Sequence, residues 1–166
     1  MAAGRGPTTH ARKPCLRPHE ILETSNPDQG GRVRHVTATA RAIELTEIAA
    51  LAAADKLAND VVAYDVSDQL AITDAFLLCS GANDRQVRSI IDEVELKLKQ
   101  AGATLVRREG ENEGRWVLLD YNDLVIHVQN KEERVFYALE RIWKDCPRIE
   151  LPDAALIGNP GTRAGE

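Results

Sequence analysis

The 166-residue chain is notable first for what it has little of. No stretch approaches the ~20 consecutive apolar residues that a membrane-spanning helix needs. The N-terminus lacks the apolar core of a secretory signal, so the expected location is the cytoplasm. Cysteine is scarce: Cys15, Cys79 and Cys146 are odd in number and far apart, which fits neither a disulfide framework nor a CxxC metal site. Cys79, in a strand, and Cys146, at a helix end, are expected as small buried hydrophobes. Basic charge is also in short supply, with a net charge of −5. Seven Lys/Arg against three Asp/Glu lie between Met1 and Ala42, so the remainder holds 14 basic and 23 acidic residues, a balance of −9. Such a domain repels phosphate backbones, so sequence-specific nucleic-acid binding is not expected. It suits a positively charged protein surface instead.

The rest of the composition, 43% hydrophobic and 28% charged, is ordinary for a globular protein. Met1 to His35 is rich in Gly, Pro, Arg, Thr and His without apolar periodicity. It is expected to be a disordered basic extension, with Val36 an alternative start that would make it non-native. Residues 36–150 form the expected domain, and residues 151–166 a disordered tail that continues the fraying expected from Arg148 onward.

The domain is organised around Arg107 to Trp143. Trp116, Leu118 and Asp120 share one face of a strand by period-2 alternation, and Val117 and Leu119 share the other. Leu124, Ile126 and Val128 oppose Val125, His127 and Gln129 on the next strand. Tyr121-Asn122-Asp123 supplies the turn. Asn130 with Glu133 is a capping box, and Val135, Phe136, Leu139, Ile142 and Trp143 repeat at helical spacing up to the stop at Pro147. Upstream, Ile43 to Asn59 reads as an Ala-rich helix. Asp60 to Ser67 and Ala71 to Ser80 read as strands separated by a turn at Asp68-Gln69. Asn83 caps a helix with Gln86 completing the box; Val87, Ile90, Ile91, Val94, Leu98 and Ala101 form its apolar stripe, and Gly102 ends it. Thr104 to Arg108 reads as a further strand. The order α-β-β-α-β-β-β-α predicts an α/β or α+β domain: a mixed five-stranded sheet with flanking helices.

Candidate chemistry is sparse. Cys79 and His127 sit in apolar strands, where a core thiol and a histidine hydrogen-bonded across strands are the expected readings, rather than a nucleophile and its base. His127 with Asp120 or Asp123 lacks metal-ligand spacing. Asp65, Asp68 and Asp74 flank a turn, where Asp serves the backbone rather than a cation. The loop SGANDR lacks the glycines of a phosphate-binding loop. No catalytic residue, metal or cofactor is expected. Trp116 is the residue with two open readings: a surface hot spot beside acidic neighbours, or a core ring under the last helix against Trp143 or Phe136.

Four stretches carry a family resemblance: ADKLANDVVAYDVSD; ITDAFLLCSG followed by Asn83 to Val87; EGENEGRWVLLDYNDLVIHV; and ERVFYALERIW. Together with Arg107-Arg108-Glu109-Gly110 and the intervals of Trp116, Asp120, Asp123 and His127, they resemble the ribosomal silencing factor (RsfS), or Iojap-related, family over roughly residues 45 to 150. The family's usual glycine near Asn122 is replaced by another turn-forming residue. The resemblance implies a nucleotidyltransferase-like fold without a catalytic site. Here Ser80-Gly81 inverts the enzymes' Gly-Ser, and the segment that follows is the helix with Asp92-Glu93 rather than a strand with paired carboxylates. It implies a non-enzymatic protein that binds the large ribosomal subunit through ribosomal protein fourteen. Its bulk would block subunit joining and so repress translation under nutrient limitation. An assembly role for the large subunit, or an active nucleotidyltransferase, are the alternatives. It implies a homodimer when free, and a contact set of Trp116, Asp120, Asp123 and His127 with Arg107 and Glu109 beside them.

Overall fold

The computed structural model describes residues 37–157. The expectations for the N-terminal extension and for residues 158–166 of the tail lie outside the described residues. Helix α1 spans Ala40–Asp55, capped by the Thr39 hydroxyl, which accepts from the Ala42 amide at 3.2 Å. Its buried side is Ala42, Leu45, Thr46, Ala49, Ala50, Ala52 and Ala53, small enough for close approach to the sheet and to its neighbouring helix. It ends at Asp55, short of the Asn59 expected, because Leu57 takes the left-handed conformation (φ 59°). The Ala58 amide donates to Ala53 and the Leu57 amide to Ala54, the two bonds of a Schellman stop with leucine where glycine is usual.

Strands β1 (Asn59–Asp65) and β2 (Ala75–Gly81) follow, β2 over the apolar run expected within Ala71 to Ser80, with residues 71–74 in the loop before it. Helix α2 (Asp84–Gln100) has the predicted cap, the Asn83 side chain accepting from the Gln86 amide at 2.9 Å. Gln86 does more than the capping box required. Its Oε1 accepts from the Ala82 amide, and its Nε2 donates to the Lys56 and Leu57 carbonyls, so one amide ties the end of α1 to the start of α2. Gly102, at φ 78°, ends α2 as expected.

Strands β3 (Arg107–Glu109), β4 (Trp116–Asp120) and β5 (Leu124–Asn130) complete most of the sheet. Asn122 turns the β4–β5 hairpin in the left-handed region (φ 66°), where Asn is well tolerated. The domain is α+β, but the sheet has six strands, not five, in the order β3-β4-β5-β2-β1-β6. The extra strand is β6 (Arg148–Ile149), antiparallel to β1. The chain after it is not frayed over its described part. Asp153–Ala155 forms a 3-10 turn, Ala155 is buried, and Ile149 and Leu151 pack on the main core. Only β2 and β5 pair in parallel; both are buried along their whole length, as strands covered on both faces are.

The last helix also departs from expectation. Helix α3 is only Lys131–Tyr137, its Asn130 cap accepting from the Glu133 amide as predicted. Ala138 then turns left-handed (φ 42°, ψ 53°), and Leu139–Arg141 continues as a 3-10 turn. Of the apolar series expected to be its core stripe, Leu139 is buried, but Val135 (73% exposed), Phe136 (80%) and Ile142 (64%) face outward. Arg134 is buried in their place.

Helices α1 and α2 pack on one face of the sheet over Val61, Ala63, Leu77, Cys79, Val117, Leu119, Leu124, Ile126 and Val128. The opposite face has a smaller cluster of Tyr64, Val66, Phe76, Leu78, Val125, Leu139 and Cys146. Among the described residues, no helix is long and apolar enough to cross a membrane.

Candidate functional site: the less covered sheet face

Register places the second face in rows. One row runs Arg107, Asp120, Val125, Phe76, Tyr64, Arg148 across all six strands. The next runs Glu109, Leu118, His127, Leu78, Val62, and a third runs Trp116, Gln129, Ser80, Asn59. Period-2 alternation thus brings Arg107, Glu109, Trp116, Asp120 and His127 onto one face. Asp123 lies apart from them, exposed on the β4–β5 turn, where its carbonyl accepts from the Asp74 and Ala75 amides.

The core reading of Trp116 named Trp143 or Phe136 as its partners, and the ring meets neither. Its ring is half-buried, 4.7 Å from the Tyr137 ring and 5.9 Å from that of His127, and its Nε1 donates to His127 Nδ1 at 3.3 Å. Trp143 packs elsewhere, edge-on to Phe76 at 5.0 Å. The aromatic surface continues outward from Trp116 through Tyr137 to Phe136, whose ring lies 5.0 Å from Tyr137. Sequence reasoning missed Phe136, Val135 and Ile142 as surface residues, because an apolar stripe at helical spacing reads as core, and it did not single out Tyr137.

His127 is the cross-strand histidine expected. It is 8% exposed and edge-on to Phe76 at 5.3 Å. Burial, with the nearby Arg134 cation, pushes its pKa down to about 4, so it is neutral and accepts from Trp116. Cys79 is a core thiol, pushed up to about 12 chiefly by burial. Asp120 accepts from the Asn122 amide at 3.0 Å and lies 3.7 Å from Arg107, which also pairs with Glu109 at 3.2 Å. These ion pairs are solvent-exposed and set local orientation more than stability.

The carboxylates of the β1–β2 turn serve the backbone. Asp65 accepts from the Ala38 amide, and from the amide and hydroxyl of Ser67, while Asp74 accepts from the Thr39 amide. Both therefore fix the chain as it runs into α1. Ser80 donates to the Asn59 carbonyl. Among the described residues, no group of three or more His, Cys, Asp or Glu is placed to hold a metal.

An aromatic and aliphatic surface with a charged border is the make-up of a protein-recognition face. Comparison with known proteins gives it a family. The model of the family "Ribosomal silencing factor during starvation" matches residues 39–164. The ribosomal silencing factor RsfS of Halalkalibacterium halodurans is 41% identical over 108 residues, covering 65% of this chain and 92% of that protein. RsfS of Bacillus subtilis is 40% identical over 107 residues, 64% of this chain and 91% of that protein. A crystal structure of a Chromobacterium violaceum protein, 33% identical, superposes with a TM-score of 0.59 over 61% of this chain and 84% of that one. The chain belongs to the RsfS, or Iojap-related, family of ribosomal silencing factors, a family that is not enzymatic.

Proposed function

We propose that this protein represses translation by docking its second sheet face on ribosomal protein fourteen of the large subunit and sterically blocking the small subunit. The observation that carries the reading is the aromatic series from half-buried Trp116 through Tyr137 to exposed Phe136, with Val135 and Ile142 also exposed in the same segment. Arg107, Glu109, Asp120 and His127 belong to the same sheet face, while Asp123 lies apart on the β4–β5 turn and would contribute only from there. Exposed apolar side chains gathered beside aromatic anchors mark interaction sites. The acidic balance of the chain beyond Ala42 draws it to a cationic ribosomal protein. A wedge of this kind needs only affinity and bulk. Nutrient limitation is the condition under which this action has value, and the cytoplasm is where ribosomes would be met. The acting unit is the domain expected at residues 36–150 together with residues 151–155, of which Leu151 and Ala155 pack on its core.

When free, the domain is read as self-associating into a homodimer, which competes with docking if the two surfaces overlap. Salt weakens docking more than dimerisation where docking rests on charge. The sheet is read as a relative of the nucleotidyltransferase fold without its chemistry. Ser80 bonds backbone, and α2 follows where the enzymes place a carboxylate-bearing strand.

The test is co-sedimentation. Added to separated mature subunits, the protein is expected to pellet with the large subunit and to prevent formation of the joined ribosome. Pelleting with small subunits alone would overturn the reading. So would undiminished joining at saturating protein, which would favour an assembly role. A melting-temperature rise with Mg²⁺ and ATP or CTP would point to a nucleotidyltransferase instead.

A further inference from the structure

We infer that Lys131–Trp143 is a two-state segment, poised between the broken form of this structure and a straight helix, and that the break exposes the apolar residues proposed to dock. Four observations bear on it. First, the break is at a non-glycine residue: Ala138 holds φ 42°, ψ 53°, a region that β-carbons disfavour. Second, the sequence encodes the other form. In a straight helix Val135, Phe136, Leu139, Ile142 and Trp143 share one stripe and Arg134 lies opposite. Here Arg134 is buried, and three of those five are mostly exposed. Third, the Arg134–Glu140 ion pair at 2.6 Å spans six residues. In a straight helix such positions are about 120° apart in azimuth and ~9 Å apart in rise, so the pair exists only in the broken form. Fourth, the buried arrangement is incompletely satisfied. Arg134 donates one nitrogen to the Asp60 carbonyl at 2.8 Å, but its Nη1 has no partner, and neither amide atom of the fully buried Gln129 on the same sheet face has one.

Local sequence preference and tertiary fit therefore disagree in this one segment, the condition for two packings of similar free energy. The broken form is held by Arg134, Glu140 and the Asp60 carbonyl. The straight form turns the Arg134 side outward and the stripe of Val135 and Ile142 toward the sheet. That the exposed residues are docking residues rests on the proposed function; the conformational equilibrium does not.

The test uses the free full-length chain. Ala138→Val penalises the left-handed residue, and Glu140→Ala removes the anchor of Arg134. Both are expected to recruit residues 138–143 into α3, a gain of about six helical residues by far-UV circular dichroism. Of the chain's two tryptophans, Trp143 lies within this segment and Trp116 packs on its Tyr137, so a shift in intrinsic emission should accompany that gain. Ala138→Gly, which favours the break, should give no gain. If Ala138→Val does not fold, Glu140→Ala decides alone, since Glu140 is partly exposed. Variants that melt at lower temperature with unchanged helicity and emission would show a single strained conformation and overturn the inference. No ribosome enters the readout, so this result and that of the docking experiment fail separately.

Discussion

Replacing Trp116 tests the docking reading most directly. The ring is half-buried, so Trp116→Ala costs both stability and affinity, and the two must be separated. On the folding side, half of a large ring's burial is worth about 1–2 kcal/mol. Loss of the 3.3 Å bond leaves His127 Nδ1 without its donor, a further ~1 kcal/mol or more. A domain stable by roughly 5–15 kcal/mol survives a loss of about 2–4. On the binding side, truncating a central aromatic anchor costs about 2–4 kcal/mol, a loss of affinity of roughly 30-fold to several hundred-fold. Trp116→Phe keeps a ring against Tyr137 and gives up the indole N–H, so it should retain most docking. The assay is titrated co-sedimentation with large subunits, beside a thermal melt of each variant. Trp116→Ala that melts cooperatively and pellets with wild-type affinity would refute the argument. It would make Trp116 a core residue that happens to touch solvent.

Further outcomes follow from particular residues. His127 has a folded-state pKa of about 4 against an ordinary 6.5, so its stabilising contribution is complete above pH 6.5 and is lost as pH falls toward 4. The loss totals roughly 3 kcal/mol, and the pH dependence of melting should be correspondingly shallower in His127→Gln. A β-carbon on Gly110, at φ 81°, would lie 1.9 Å from the Trp116 carbonyl oxygen. Gly110→Ala should therefore lower stability by more than ~2 kcal/mol in denaturant melts, and weaken large-subunit binding because the shift falls on Trp116. Cys79, its pKa pushed up to about 12 by burial, should resist thiol labelling at pH 8 until the domain unfolds. Stopped-flow docking should slow in association as salt rises with little change in dissociation, whereas Phe136→Ser should speed dissociation and leave the salt dependence intact.

Much of the fold was legible because several signals agreed. In β4 and β5, alternation, an Asn-Asp turn and a capping box converge, and alternation set Trp116 and Asp120 on one face of β4 and His127 on a face of β5. It is the pairing register, not legible in the sequence, that brings Arg107, Glu109, Trp116, Asp120 and His127 onto one sheet face. Helix α2 was legible from cap to stop because its stripe, Asn83 and Gly102 agree. What the sequence hid is tertiary. Strand β6 is two residues next to Pro147, too short for any periodicity, and exists because β1 offers Ala63 and Tyr64 as partners. The break in α3 is invisible to a helical period, because its determinants are the Asp60 carbonyl, 74 residues away in sequence, and a six-residue ion pair. Val135, Phe136 and Ile142, exposed on either side of that break, were the residues least readable from the sequence.

The unequal covering of the sheet accounts for where the proposed docking face lies. Helices α1 and α2, 16 and 17 residues long, lie on the same face and close the main core. The other face spans all six strands but receives a seven-residue helix and a 3-10 turn. A helix of seven residues is about 10 Å long, while six strands spaced about 4.8 Å apart span roughly 24 Å. The second face therefore cannot be closed from within the described chain. Near β5 and β2 it is sealed by Leu139, Trp143 and Cys146. Toward β4 and β3 it thins to half-buried Trp116 and Leu118, then to the exposed ion pairs of Arg107 and Glu109. This gradient, from sealed core through a half-open tryptophan to a charged edge, has the composition of a protein interface before its partner arrives. A third long helix over β3 and β4 would add stability and remove the site.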